Sequence, residues 1–203
     1  MGEVVSKLLI CVSPTLATAT RHLCTGIRHM ATWHPTRGVH EIVSQRSVAS
    51  FVFEACETNE DLRNNLCTTS LQDADLPSWD RLHALTERDT AKVAFQIMAA
   101  YSITSVPVVD STSGEALGVA SCTDIVFSHH ISMDTLVLEF VSTSRESRNA
   151  QRQDAVVACS PHHSLWDALQ TAIRNEVHHV YVLDSLTRRP RAVVSFSDIL
   201  RRL

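Results

Sequence analysis

Asp124 and Asp198 each stand three residues after a serine, in Ser121-Cys-Thr-Asp124-Ile and Ser195-Phe-Ser-Asp198-Ile. In both places an apolar strand pattern ends and a helix pattern begins. The free N–H groups and the dipole of a helix start favour negative charge there. A carboxylate in that first turn can accept hydrogen bonds from two vicinal hydroxyls, such as those of a ribose. Ser121, Ser195 and Ser197 offer hydroxyls beside it. Ser-x-x-Asp is also a capping-box signature, which stabilises a helix by about 1 kcal/mol with no ligand at all. The two roles are compatible, and recurrence at equivalent places favours the ligand.

The elements that carry these pairs recur along the chain. The third stretch has a strand at 155–158, a helix with apolar Leu165, Ala168, Leu169, Ala172 and Ile173 on one face, strands at 180–183 and 192–195, and a short helix from Ser197. The second has a strand at 82–85, a helix face of Ala91, Ala94, Phe95, Met98 and Ala99, and strands at 106–110 and 117–120. The first is fainter: a strand within 4–12, a helix face of Leu16, Ala19, Thr20, Leu23 and Cys24, strands at 27–33 and 39–43, then Ser44-Gln-Arg-Ser47. Ser44, Ser121 and Ser195 are separated by 77 and 74 positions, and Ile27, Ile103 and Val177 by 76 and 74. The segments between, 56–77 and 131–153, read as linkers with one short amphipathic helix each, marked by Leu62 and Leu66 and by Leu136, Phe140 and Val141. The expected organisation is a first repeat over 1–55, a second over 78–130 and a third over 154–203.

A β-α-β-β-α unit ending in small-polar-x-x-Asp-apolar resembles a CBS repeat. Gly118-Val-Ala-Ser121-Cys-Thr-Asp124-Ile and Val193-Val-Ser195-Phe-Ser-Asp198-Ile-Leu carry the likeness. Ile103-Thr-Ser-Val-Pro-Val-Val-Asp110 and Val177-His-His-Val-Tyr-Val-Leu-Asp184 extend it toward the gamma subunits of AMP-activated protein kinase. The three repeats resemble the second to fourth of the four that such subunits have. The resemblance implies an α/β (α+β) fold of tandem repeats paired into modules, with adenine nucleotides (AMP, ADP or ATP) held between repeats. A cleft between the second and third repeats is the expected place. It also implies catalytic alpha and scaffolding beta kinase subunits as partners, and a cytoplasmic or nuclear location. S-adenosylmethionine is a ligand of other such modules.

The family's pattern carries residue roles with it. Asp198 and Asp124 take the ribose position, and Ser47 stands where the first repeat would have an aspartate, which predicts a weak or empty ribose site there. Basic side chains must hold phosphates, because the chain has five glycines and neither G-x-x-x-x-G-K-[ST] nor G-x-G-x-x-G. The family's positions for them read Arg28-His29 and His178-His179, and Arg46 matches a lysine near the phosphates. Thr104 matches a small residue of the family, and Ser78 an adenine contact. His179 replaces an arginine, so affinity is expected to be lower or to rise as pH falls toward 6. Without a ligand the same side chains are strand-edge histidines and solvated charges.

Composition narrows the rest. The chain has 203 residues, 44% hydrophobic and 20% charged, which suits a sizeable core, and a net charge of −4, which argues against nucleic acid. No apolar run approaches the ~20 residues of a membrane helix. Six cysteines without C-x-x-C spacing read as free buried thiols. The His129-His130, His162-His163 and His178-His179 pairs lack metal-ligand spacing, so no metal is expected. No nucleophile elbow or kinase signature occurs, so the chain reads as a regulatory protein and not an enzyme. Met1-Gly-Glu-Val-Val-Ser6 fits a loose myristoylation pattern, but its valines also read as strand. The alternative function is a scaffold without nucleotide binding that self-associates through its unpaired first repeat.

Overall fold

The computed structural model describes residues 8–12, 15–25, 27–34, 36, 38–128, 130–147 and 155–202. The myristoylation pattern lies outside them. One order of elements occurs three times. The first repeat runs β1 (Leu8–Val12), α1 (Leu16–Leu23), β2 (His29–His34), β3 (Gly38–Ser44) and α2 (Gln45–Thr58). After α3 (Glu60–Cys67) the second runs β4 (Leu85–Thr86), α4 (Ala91–Tyr101), β5 (Ser105–Val109), β6 (Ala116–Ser121) and α5 (Cys122–Val126). After α6 (Val137–Ser147) the third runs β7 (Ala158–Cys159), α7 (Leu165–Arg174), β8 (His179–Leu183), β9 (Pro190–Ser195) and α8 (Phe196–Leu200). Each repeat makes its own three-stranded sheet in sequential order. Its first strand is parallel to its second, which requires the crossover that the intervening helix supplies.

The opening strands of the later repeats are shorter than their apolar runs predict. Leu82 and Val156 leave the ladder and pack instead into a cluster with Ala116, Tyr181 and Leu183. The hairpins keep one geometry throughout. Gly38 and Gly114 sit at φ 75°, and Arg188, at the equivalent position, is held at φ 54°. Asp110 Oδ1 accepts from the N–H groups of Thr112 and Ser113, and Asp184 Oδ1 from those of Leu186 and Thr187. These bonds hold both carboxyls below the usual carboxylate range.

The chain divides into two compact units. One comprises 1–74, 162–180 and 194–203; the other comprises 75–161 and 181–193. In the first unit α2 packs against α1, α3, α7 and α8. Its core includes Leu23, Val52, Leu66, Leu169, Phe196 and Leu200, all buried. In the second unit Leu85, Ala94, Met98, Val106, Val108 and Ala120 form a core that Val137 and Val141 of α6 close. Both helices read from sequence as linker pieces are therefore structural parts of their units.

Within the second unit the sheet of the second repeat meets strands of the third through matching residues. Leu82 and Val156, and Val119 and Val193, share the cluster around Tyr181, and each pair is 74 positions apart. The turn Arg188–Arg191 is bound at both ends: Arg189 Nε donates to Ser113 O at 2.7 Å, and Arg191 grips Asp80 at 2.6 and 3.1 Å. Among the described cysteines none forms a disulfide, and Cys67 and Cys122 are exposed and not buried. Trp33, Phe51 and Phe127 are exposed as well. Among the described residues no helix is long and apolar enough to cross a membrane.

Candidate functional site

The first unit gathers most of the residues that the sequence singles out. Ser195 is the N-cap of α8, and Asp198 is its third residue. Asp198 Oδ2 accepts from Ser195 N at 2.9 Å and from Ser195 Oγ at 2.6 Å. The capping role is thus realised in full, on one carboxylate oxygen. Oδ1 lies 3.8 Å from Arg201, and the side chain keeps 15% of its surface exposed. A carboxylate has about four lone-pair sites, so capping leaves Oδ1 able to accept from sugar hydroxyls.

The loop after α7 brings basic groups to the same end of α8. His178 meets the Phe196 ring edge-to-face at 5.8 Å. His179 opens β8. Burial pushes its pKa down to about 4, and the nearby His178 and Arg28 push in the same direction. That corrects the expected pH response: a ring held neutral to about pH 4 gains no charge near pH 6. Arg28 precedes β2 and is exposed, as is His29 behind it. Arg46, in the first turn of α2, lies 3.9 Å from Glu176, two residues before His178. Arg28, Arg46, His178, His179 and Asp198 therefore converge from the first and third repeats. Sequence reasoning expected a cleft between the second and third.

Sequence reasoning missed Gln45, whose side-chain amide bonds Ser197 Oγ at 2.7 Å, and Arg201, which donates to Cys24 O at 3.1 Å. The only signal for Gln45 was its place between Ser44 and Arg46.

The second unit holds Ser78, Thr104, Ser121 and Asp124. Asp124 Oδ2 accepts from Ser121 N at 2.7 Å and Ser121 Oγ at 2.9 Å, the same cap as in α8, but Asp124 is only 3% exposed. Thr104 O accepts from Cys122 N. Ser78 Oγ donates to Val193 O at 2.9 Å and accepts from Val193 N at 3.0 Å, so its hydroxyl laces the chain before β4 to β9.

The cap has two instructive variants. In the first repeat Ser47 replaces the aspartate and still caps, accepting from Ser44 N at 2.9 Å. Ser164 and Asp167 make the same box at the start of α7, away from any equivalent position. The motif alone is thus a helix start. What distinguishes Asp198 is the company it keeps.

The CBS domain family matches residues 74–129 and 153–203, just over half of the chain. Subunit gamma-3 of 5'-AMP-activated protein kinase from Sus scrofa is 27% identical over 139 residues, covering 66% of this chain and 26% of the relative. The chain thus spans about a quarter of the length of that curated relative. A protein of Methanocaldococcus jannaschii, described as a candidate archaeal homologue of the kinase gamma subunit, superposes with a TM-score of 0.68 at 14% identity, covering 97% of this chain and 66% of that one. The CBS domain of a bacterial CNNM/CorC family Mg2+ transporter, solved in complex with ATP, gives 0.52 at 16% identity, covering 68% and 89%.

Proposed function

The chain belongs to the CBS-domain family, and from that premise we propose that it is a non-catalytic regulatory subunit that binds AMP, ADP or ATP and reports them to a protein kinase. The observation that carries this is the convergence of Arg28, Arg46, His178 and His179 on the end of α8 that bears Asp198. Asp198 Oδ1 accepts the ribose hydroxyls. Arg28 and Arg46 supply fixed positive charge to phosphates. His178 and the neutral His179 add ring nitrogens. AMP, ADP and ATP differ in phosphate charge, so this basic cluster is where they are told apart. Discrimination acts on the kinase only if the nucleotides favour different states of the assembly. The gamma-subunit relatives support a catalytic alpha and a scaffolding beta subunit as the partners.

The first repeat supplies its own control for the test. Ser47 shows that serine preserves the cap, so Asp198→Ser removes the ribose acceptor and leaves the helix start intact. Calorimetry with AMP, ADP and ATP is expected to show micromolar binding to the wild type and none to Asp198→Ser, with the melting temperature nearly unchanged. Equal binding by both proteins would falsify the role of Asp198.

A second reading, a self-associating scaffold, rests on Ile42. It lies 77 positions before Val119 and matches Val119 and Val193, which meet in the second unit, yet Ile42 is 66% exposed. A folded wild type giving no heat with any of the three nucleotides would favour this reading.

A further inference from the structure

We propose that Gln45 is a positioning residue that turns the Ser197 hydroxyl into a hydrogen-bond donor for the nucleotide phosphate; this rests on the nucleotide reading above. Gln45 is the first residue of α2, and its side chain reaches back beneath the chain that leads to Arg28. Its Nε2 lies 2.7 Å from Leu23 O, 3.3 Å from Ile27 O and 2.7 Å from Ser197 Oγ. The two main-chain carbonyls can only accept, so the amide nitrogen, and not its oxygen, must face them. Its two protons go to the 2.7 Å partners, Leu23 O and Ser197 Oγ, with Ile27 O sharing one at 3.3 Å, so the hydroxyl must accept.

A hydroxyl has one proton and two acceptor sites. Once Gln45 fills an acceptor site, the proton is left to be given away, and among the described residues Ser197 gives it to none. Its neighbour Asp198 has the opposite character, an acceptor suited to sugar hydroxyls. Ser197 adjoins Phe196, whose ring His178 meets, and its hydroxyl proton suits an anionic phosphate oxygen. Gln45 also fixes the basic side, because its main-chain N–H donates to Arg28 O at 3.2 Å. One residue thus sets the direction of the donor from the third repeat and the position of the cation from the first.

The test titrates AMP and adenosine by calorimetry into the full chain, Gln45→Met, Ser197→Ala and the double variant, with thermal melts alongside. Methionine keeps the length of glutamine and removes its donors. Each single change is expected to weaken AMP about tenfold, as for one hydrogen bond to a charged group. The double variant should be no weaker than the worse single, and adenosine should change less than about twofold, since it lacks the phosphate. Equal losses for AMP and adenosine would overturn the proposal, as would additive losses in the double variant. Should Gln45→Met fail to fold, Ser197→Ala decides alone, because it leaves both carbonyl bonds of Gln45 in place: unchanged AMP affinity overturns the proposal. A wild type that binds no AMP overturns the nucleotide reading itself, whereas the other failures leave that reading standing.

Discussion

The helices α5 and α8 begin with the same two hydrogen bonds and end in opposite surroundings. Ser121-Cys-Thr-Asp124-Ile-Val126 and Ser195-Phe-Ser-Asp198-Ile-Leu200 differ little as sequence. Leu200 is 1% exposed, because α1 and α2 of the first repeat lie over α8. Val126, its equivalent, is 65% exposed. Yet Asp124 is more deeply enclosed than Asp198, its carbonyl oxygen holding Ser128 Oγ at 2.7 Å and Ser144 Oγ at 3.0 Å. The local code starts a helix in both places. The first repeat makes the difference, by covering the apolar side of α8 and bringing cations to its N-terminal end.

Removing that cover should have the largest effect. Leu200→Ala is expected to cost roughly 2–5 kcal/mol, and Val126→Ala less than about 0.5 kcal/mol, read from urea unfolding midpoints. Similar losses for both would erase the distinction between the two helices.

A smaller effect concerns pH. His179 has Ser105 as its counterpart in the second repeat, 74 positions earlier. Its pKa in the folded chain, about 4, lies below the ordinary 6.5. The unfolded chain therefore takes up a proton first, and the stability that the neutral ring contributes is lost as pH falls from about 6.5 to about 4. Melting temperatures between pH 7.5 and 4.5 should decline less steeply for His179→Ser than for the wild type. An identical slope would mean that other groups carry the decline.

The smallest effect separates the hairpins. Gly38 and Gly114 adopt a left-handed φ without strain, and Arg188 does so with a side chain. Arg188→Gly should stabilise the chain by about 1 kcal/mol in denaturant titrations, less the small contribution of its exposed ion pair with Glu115 at 3.2 Å.

Much of the fold was legible because local periodicity produced it. The face of α7 follows its apolar offsets, that of α4 does so except at the exposed Ala99, and β5, β6, β8 and β9 fall on their apolar runs within two residues. The lengths of β4 and β7 were not legible. Leu82 and Val156 look like strand residues, and only a partner sheet draws them out of the ladder. The nucleotide candidates were visible as residue types at repeat-equivalent positions. Which repeats bring them together was not, since the meeting of Arg28 with His179 is set by helix packing between distant segments. Gln45 was hidden for the same reason: its partner Ser197 is 152 positions away.

The exchange of segments between the units has a consequence for biosynthesis. Residues 162–180 and 194–203 complete one unit, and 181–193 complete the other. Neither half is a contiguous stretch, so a nascent chain emerging from the ribosome cannot finish one before starting the next, as ordinary domains do. Both must wait, with apolar helix faces bare, until the segment 162–203 has been made.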